Sequence, residues 1–375
     1  MEPRDAMTMQ TKTMFLCACL FAMAGCATVR VTEAPRPADP QGVPVAPVAP
    51  PVDDGRWTFD KASRMPTAPD GYAPPTSIGF LLPLSGQLAR AAAPVRDGFL
   101  AGYYAEMRPR PDIRFYDTAD GGAVAAYGRA VADGNAFVVG PLGREEVDAV
   151  FASGALPVPL LALNRGDAVP PPGHASFSLS PEDEGVARAT LEQVFGRGNV
   201  FQSLVITDDP STAAPEVQAA AQAAVAAATP IDGVFYAVRG SKARLLAAQL
   251  SLAGLSGLPG VATSQIAVGA GDPLQDVMLD GIAFPTETWT AQGLPGLPPA
   301  ASLGERLPTA RGPAARLFAF GHDAWLVTAY PSVAAGAGEG VLRGATGRLR
   351  VDAAGNVLRM PTWSTFREGR PVPLH

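Results

Sequence analysis

From Thr76 onward the chain alternates short apolar runs with longer stretches whose apolar residues recur every three or four positions. "TSIGFLL" predicts a strand, and Pro94 to Met107 predicts a helix in which Val95, Phe99 and Tyr103 share one face. Pro94 suits a first helical turn, where its missing N–H has no partner to lose. The alternation continues through "IRFYD" (Ile113–Asp117), an alanine-rich helix ending near Asp133, "AFVVG", a helix from Arg144 to Ser153, and "VPLLALN". Four strands joined by three helices predict a parallel, right-handed, doubly wound sheet.

A second set follows. Pro181 to Phe195 reads as a helix that opens on Glu182, Asp183 and Glu184, where the helix dipole favours acids. "SLVIT", "GVFYAV" and "GVATS" alternate with helices around Pro215–Ala228 and Ser241–Ala253, and "DGIAFP" adds a strand. Two successive βα lobes imply a cleft between them, where ligands of such folds sit. Pro313 to Tyr330 then reads as a helix carrying Leu317, Phe320, Trp325 and Val327. "ATGRLRVDAAGNVLRMPTWSTFREG" predicts a hairpin turning at Ala354-Gly355-Asn356, where Gly and Asn tolerate positive φ. The Gly/Pro-rich "TAQGLPGLPPAASLGERLPTARGP" is expected to be a mobile loop.

The first 75 residues have a different texture. "MFLCACLFAMAGCATVR" places the apolar run Met14–Ala24 after Lys12, too short to span a bilayer and laid out as a secretory signal. Glu2 and Asp5 are acidic where a positive start is expected, so Met7 or Met9 is a candidate initiator. Met23-Ala24-Gly25-Cys26 resembles the bacterial lipobox, with Met23 where Leu is usual, and Cys26 is the expected lipidation site. The bland alternative is an ordinary cleaved signal with an incidental cysteine. The other two cysteines, Cys17 and Cys19, lie inside the apolar run, so the chain after Cys26 has none to pair with it. Ala27 in place of Asp points to an outer-membrane address. Between Pro35 and Pro51 stand seven prolines with no apolar periodicity, the signature of a semi-extended tether. Extended, Ala27 to Pro75 would reach on the order of 150 Å.

Net charge is −6 and Lys61 and Lys242 are the only lysines after the leader, so nucleic acid is not an expected partner. Catalytic constellations fail one by one. His174, His322 and His375 are scattered, and no HExxH or Cys/His spacing exists to hold zinc. The sequence has no G-x-S-x-G elbow, no S-x-x-K, and no Walker or dinucleotide fingerprint, so neither a metal nor a cofactor is called for. His322 and Asp323 in "GHDAW" are adjacent on a helix and are expected to face different directions.

What remains is a set of polar residues near strand ends: Ser85, Gly86 and Gln87 after the first strand, Asp117, Gly140, and Asn164 with Arg165. They could line a cleft, with the helix that follows Gln87 offering free N–H groups to an anion. They could equally be turn and cap residues, which every doubly wound fold needs.

Several long blocks carry a resemblance. "IGFLLPLSGQLARAAAPVRDGFLAGYY", "FYDTADG", "FVVGPLGREEVDAV", "VPLLALNR" and "FSLSPEDEGVARA" resemble the C-terminal domain of the LpoA family of penicillin-binding protein activators. "LDGIAFPTETW", "RLFAFGHDAWLV" and "GATGRLRVDAAGNVLRMPTWSTFREGRPVP" are similar to later blocks of that family, in order. The resemblance implies an α/β, type I periplasmic binding-protein-like fold with two Rossmann-like lobes around a cleft. It further implies an outer-membrane lipoprotein that binds a class A penicillin-binding protein of the 1A type, contacts peptidoglycan, and stimulates wall synthesis without catalysis. The expected layout is a leader (1–25), a lipidated tether (26–75) and a globular part (76–375). Its first lobe covers about 76–178 with part of 285–335, and its second about 180–284 with part of 336–375.

Two departures stand out. The tether occupies the place of the helical-repeat domain common in that family, and "DDPSTAAPEVQAAAQAAVAAATP" lacks the Trp-Gly and Arg pattern expected after "SLVIT". The alternative is a periplasmic lipoprotein that binds a solute or muropeptide in the cleft. A muropeptide hydrolase would need an acid–base pair that the sequence does not offer.

Overall fold

The computed structural model describes residues 30–33, 63–154, 156–179, 202–207, 233–268, 271–336 and 341–374. The leader, Cys26 and most of the tether lie outside them, as do the expected helices Pro181–Phe195 and Pro215–Ala228.

The first lobe begins with β2 (Ser77–Leu82), after a short strand β1 (Arg30–Glu33) that pairs in the second sheet. Alternation along β2 sends Ile78, Phe80 and Leu82 into one core with Phe99 and Trp325, and Leu81 into another with Val138 and Ala126. Both faces of this strand are therefore covered, which is why it reads as a continuous apolar run. The lobe continues through α1 (Ala89–Ala105), β3 (Asp112–Asp117), α2 (Gly122–Ala132), β4 (Phe137–Val139), α3 (Arg144–Ala152), β5 (Leu160–Ala162) and β6 (Ala175–Phe177). Its parallel strands run in the order β3-β2-β4-β5-β6.

α1 starts five residues before the expected Pro94, which falls inside the helix. The preceding "ARAAA" is strong helix-forming sequence and extends the helix backwards past the proline.

The second lobe is built from β7 (Gln202–Thr207), β8 (Gly233–Ala237), α4 (Gly240–Leu252), β9 (Gly260–Ala262) and β10 (Ile282–Thr286). β7, β8, β9 and β10 are parallel neighbours over a core of Val234, Leu246, Ile266 and Phe284.

After β10 the chain crosses back. α5 (Pro313–Ala329) lies on α1, with Trp325 edge-on to Phe99. The stretch expected to be a mobile loop is instead packed: Trp289, Leu297 and Ala310 close over Phe318, and the Trp289 indole N–H donates to Pro298 O at 2.8 Å. One large aromatic is enough to organise a Gly/Pro-rich segment around itself.

The single expected hairpin proves to be two, in different sheets. β11 (Leu342–Arg343), β12 (Arg348–Val351) and β13 (Asn356–Met360) extend the first sheet beyond β6. β14 (Thr362–Arg367) and β15 (Arg370–Pro373) extend the second beyond β10. Pro361, which cannot donate to a ladder, stands between them. At the first turn Gly355 takes φ +81°, while Asn356 does not enter the left-handed region. Asp352 Oδ1 holds this turn by accepting from Ala354 N and Asn356 N.

Residues 63–75, expected to end the tether, belong to the first lobe. Tyr72 is buried in its core, and Arg108 stacks 4.0 Å over the Tyr72 ring while paired with Asp70 and Glu106. Arg64 Nη1 donates to Ala73 O and Thr328 O, and its guanidinium faces the Phe137 ring.

Candidate functional site

The strand ends of the first lobe gather the polar residues picked out in the sequence, and most of them are occupied with one another. Asp117, at the end of β3, accepts from Leu84 N and Ala119 N through Oδ1 and from the Ser85 hydroxyl through Oδ2, each at 2.9 Å. The Leu84 N–H, aided by Ala119 N and Ser85, holds its carboxyl below the usual carboxylate range. Gly86 completes the turn with φ +74°, and Gln87 is exposed beside it. This is a carboxylate-braced turn between two strands.

Gly140, just past β4, has a steric cause. It sits at φ +96°, and a Cβ there would meet Leu81 O at 2.0 Å, so only glycine lets β4 leave beside β2. Asn164 stitches three segments: Nδ2 donates to Leu142 O at 2.9 Å, while Oδ1 accepts from Arg165 N and the Ser178 hydroxyl. Arg165 differs from the rest. Its Nε is buried without a hydrogen-bond partner among the described residues.

Two hollows among the described residues use none of these side chains. One, about 370 Å³, lies between Thr290, Gly304, Arg311 and Ala315; the other, about 270 Å³, lies against Pro170, His174 and Gly355. Among the described residues no group of His, Cys, Asp and Glu could hold a metal, and no helix is long and apolar enough to cross a membrane.

Sequence reasoning missed an ionic contact where the lobes meet. Glu287 follows β10 and Arg316 opens α5; Nε and Oε1 are 2.9 Å apart, an ion pair not aligned as a hydrogen bond, and Arg316 Nη2 also reaches Leu179 O. Both residues stand in blocks quoted above, "LDGIAFPTETW" and "RLFAFGHDAWLV", yet nothing local says that they meet. Sequence reasoning also misjudged His322 and Asp323. They do touch, Nδ1 to Oδ1 at 3.3 Å, but the fully buried carboxylate is turned to the loop Gly344–Thr346, accepting from Ala345 N at 2.5 Å and Thr346 N at 2.7 Å. Adjacent side chains lie only about 100° apart around a helix, so an imidazole can lean onto its neighbour.

The fold perturbs the titration of His174. Burial pushes it below its ordinary 6.5, against a smaller upward pull from Leu156 O. The unfolded chain therefore binds a proton first, so stability is complete above about pH 6.5 and falls as pH drops towards the lowered folded value. Thermal unfolding followed from pH 7.5 to 5 should show this slope, and His174→Asn should flatten it.

The sequence pattern of the family described as "LppC putative lipoprotein" matches residues 71–208 and 201–369, nearly the whole globular part. The chain belongs to the LppC family. Curated relatives of this LppC chain include the penicillin-binding protein activator LpoA of Photobacterium profundum, 32% identical over 33% of this chain and 21% of that protein. The LpoA of Pectobacterium parmentieri is 33% identical over 37% of this chain and 19% of its own length. The aligned part thus spans about a fifth of those relatives. The solved C-domain of LpoA (YraM) from Haemophilus influenzae, a regulator of PBP1A, superposes with TM-score 0.64 at 22% identity, covering 80% of this chain and 100% of that one. An ABC transporter substrate-binding protein from Sphaerobacter thermophilus superposes with TM-score 0.54 at 14% identity, over 80% and 96%. These likenesses give the LppC chain the type I periplasmic binding-protein fold.

Proposed function

We propose that this LppC protein is an outer-membrane lipoprotein, acylated on Cys26, that binds a class A penicillin-binding protein of the 1A type and stimulates peptidoglycan synthesis without catalysis of its own. The observation that carries this reading is the family match across residues 71–369, together with a fold that spans the whole C-domain of a relative described as a regulator of PBP1A. The strand-end residues Ser85, Asp117 and Asn164 hydrogen-bond within the first lobe and brace its turns. A regulator of this kind acts through its surface, and contact with peptidoglycan would follow from its position.

The test adds the chain from Ala27 onward to a purified class A penicillin-binding protein and follows glycan polymerisation and crosslinking. A saturable rise in either rate is the expected result; no binding and no change in rate would overturn the reading.

Arg165 favours one other reading, a solute- or muropeptide-binding lipoprotein, because a buried guanidinium nitrogen with no hydrogen-bond partner among the described residues suits a carboxylate ligand. On that reading muropeptides raise the melting temperature, since a ligand of the native state stabilises it, and Arg165→Ala removes the shift. On the activator reading Arg165→Ala stimulates as the parent does.

A further inference from the structure

In their first five strands the two sheets follow one plan except at the outer edge. From the outer edge inward, the first sheet runs β3-β2-β4-β5-β6 and the second runs β1-β7-β8-β9-β10. β7 corresponds to β2 as the first strand of its lobe, and β8 to β4. The edge position is filled differently. In the first lobe it is held by β3, the next strand in sequence, which pairs parallel to β2. In the second it is held by β1, which comes from the segment just after Cys26 and pairs antiparallel to β7, Thr32 opposite Ser203 and Val31 opposite Leu204.

The sequence accounts for the exchange. The connection from β2 to β4, residues 83–136, contains the strand "DIRFYD". The connection from β7 to β8, residues 208–232, is about half as long and offers only alanine-rich sequence with isolated Val217, Val225 and Ile231. No β-branched or aromatic run is available there from which an edge strand could form. Without one, β7 would leave a row of backbone N–H and C=O groups open to any passing strand. "TVRVT", Thr28–Thr32, has four β-branched residues in five, and Pro35 stops it soon after.

We propose that Arg30–Glu33 is a substitute edge strand, supplied in cis by the segment after Cys26, which docks on β7 and closes the second lobe. The segment is then a strand followed by a linker rather than a free tether along its whole length. One consequence rests on the lipidation proposed above. Cys26 precedes Arg30 by four residues, so a docked strand keeps the acylated cysteine within roughly 14 Å of Arg30 on the lobe's edge. Residues 34–62 then join the second lobe to the first, and the full reach of the tether is available only when the strand lets go.

The test uses the chain from Ala27, which contains no cysteine. Thr32→Cys with Ser203→Cys places two thiols in register; Thr32→Cys with Thr207→Cys displaces one by four residues along β7, about 13 Å. Under mild oxidation the first pair should form an intramolecular disulfide at least tenfold faster than the second, independent of protein concentration. Equal rates would overturn the proposal, and so would disulfide-linked dimers as the main product, which would assign the strand to a second copy. Hydrogen exchange gives an independent reading: Val31→Pro should speed exchange of the edge-facing β7 amides at least tenfold while β8 and β9 keep their protection. Unchanged β7 exchange would count against docking. Neither arm contains lipid or a penicillin-binding protein, so failure here leaves the activator reading standing, and failure of the activator assay leaves the docked strand standing.

Discussion

Gly98→Ala and Gly321→Ala should each unfold at markedly lower urea than the parent, a loss of at least about 2 kcal/mol. α1 and α5 cross at these two glycines. A Cβ on Gly98 would stand 1.8 Å from Phe318 O, and one on Gly321 would stand 1.9 Å from Val95 O. Both obstacles are backbone, so no rotamer change relieves them and the helices must separate. Separation loosens the core that α5 shares with α1 and β2, where Trp325 and Phe99 meet edge to face at 5.6 Å. Against this stands the gain of about 1 kcal/mol that alanine brings to a helix interior. The steric term is larger because overpacking alone costs about 1–3 kcal/mol and more where backbone must move. Gly128→Ala separates the two effects. Gly128 lies on the exposed side of α2 with nothing within 4 Å of its would-be Cβ, so that variant should gain stability, by about 0.5–1 kcal/mol. If Gly98→Ala were as stable as Gly128→Ala, the close crossing would be wrong.

The same crossing illustrates what the sequence makes legible. Fully buried strands announce themselves as apolar runs, so β2, β4, β5 and β8 to β10 are readable, and the alternation with helices is enough to give a doubly wound plan. β6 is not readable: it is three residues long, flanked by His174 and Ser178, and its partners β5 and β13 lie far apart in sequence. The segment 63–75 was equally hidden. Its apolar content is low, and what fixes it is a set of remote partners, Arg108, Thr328 and Tyr330. Composition suggests a tether where long-range polar contacts make a packed strap.

Of the candidate site, the positions were legible and the roles were not. Every doubly wound sheet puts loops at the C-terminal ends of its strands, so Ser85, Asp117, Gly140, Asn164 and Arg165 fall on one side of the first lobe. Whether such a residue meets a ligand or braces its own turn depends on hydrogen bonds that spacing does not encode. The short distances from Asp117 to Leu84 N and Ser85 Oγ favour bracing there, and the Nε of Arg165, without a hydrogen-bond partner among the described residues, sets it apart. The Glu287–Arg316 pair illustrates the converse, a contact at the meeting of the lobes built from residues 29 positions apart that no local pattern connects.

Asp323→Ala should cost about 3 kcal/mol or more, because it orphans several buried donors at once. The carboxylate is fully buried in the middle of α5 and accepts three times, from Ala345 N, from Thr346 N and from the Thr346 hydroxyl at 2.6 Å, with His322 Nδ1 3.3 Å from its Oδ1. Alanine would leave those donors buried and unpaired, at about 1–3 kcal/mol each before relaxation. Gly344 has no room for a side chain, because a Cβ there would lie 2.4 Å from Asp323 Oδ2, so the loop is drawn tightly over the acid and cannot shift to find other partners. Asp323→Asn is the sharper variant. It keeps the volume but turns one acceptor into an N–H₂ donor facing donors, so it should also destabilise by more than about 1 kcal/mol. The loop leads into β12 and β13, the strands through which the chain returns to cross between lobes at Pro361. Proteolysis near Gly344 should therefore quicken in both variants in proportion to the lost stability. If Asp323→Asn matched the parent in urea and in protease resistance, the carboxylate would have to be replaceable by a neutral amide, and the buried acid would need a role other than holding this loop.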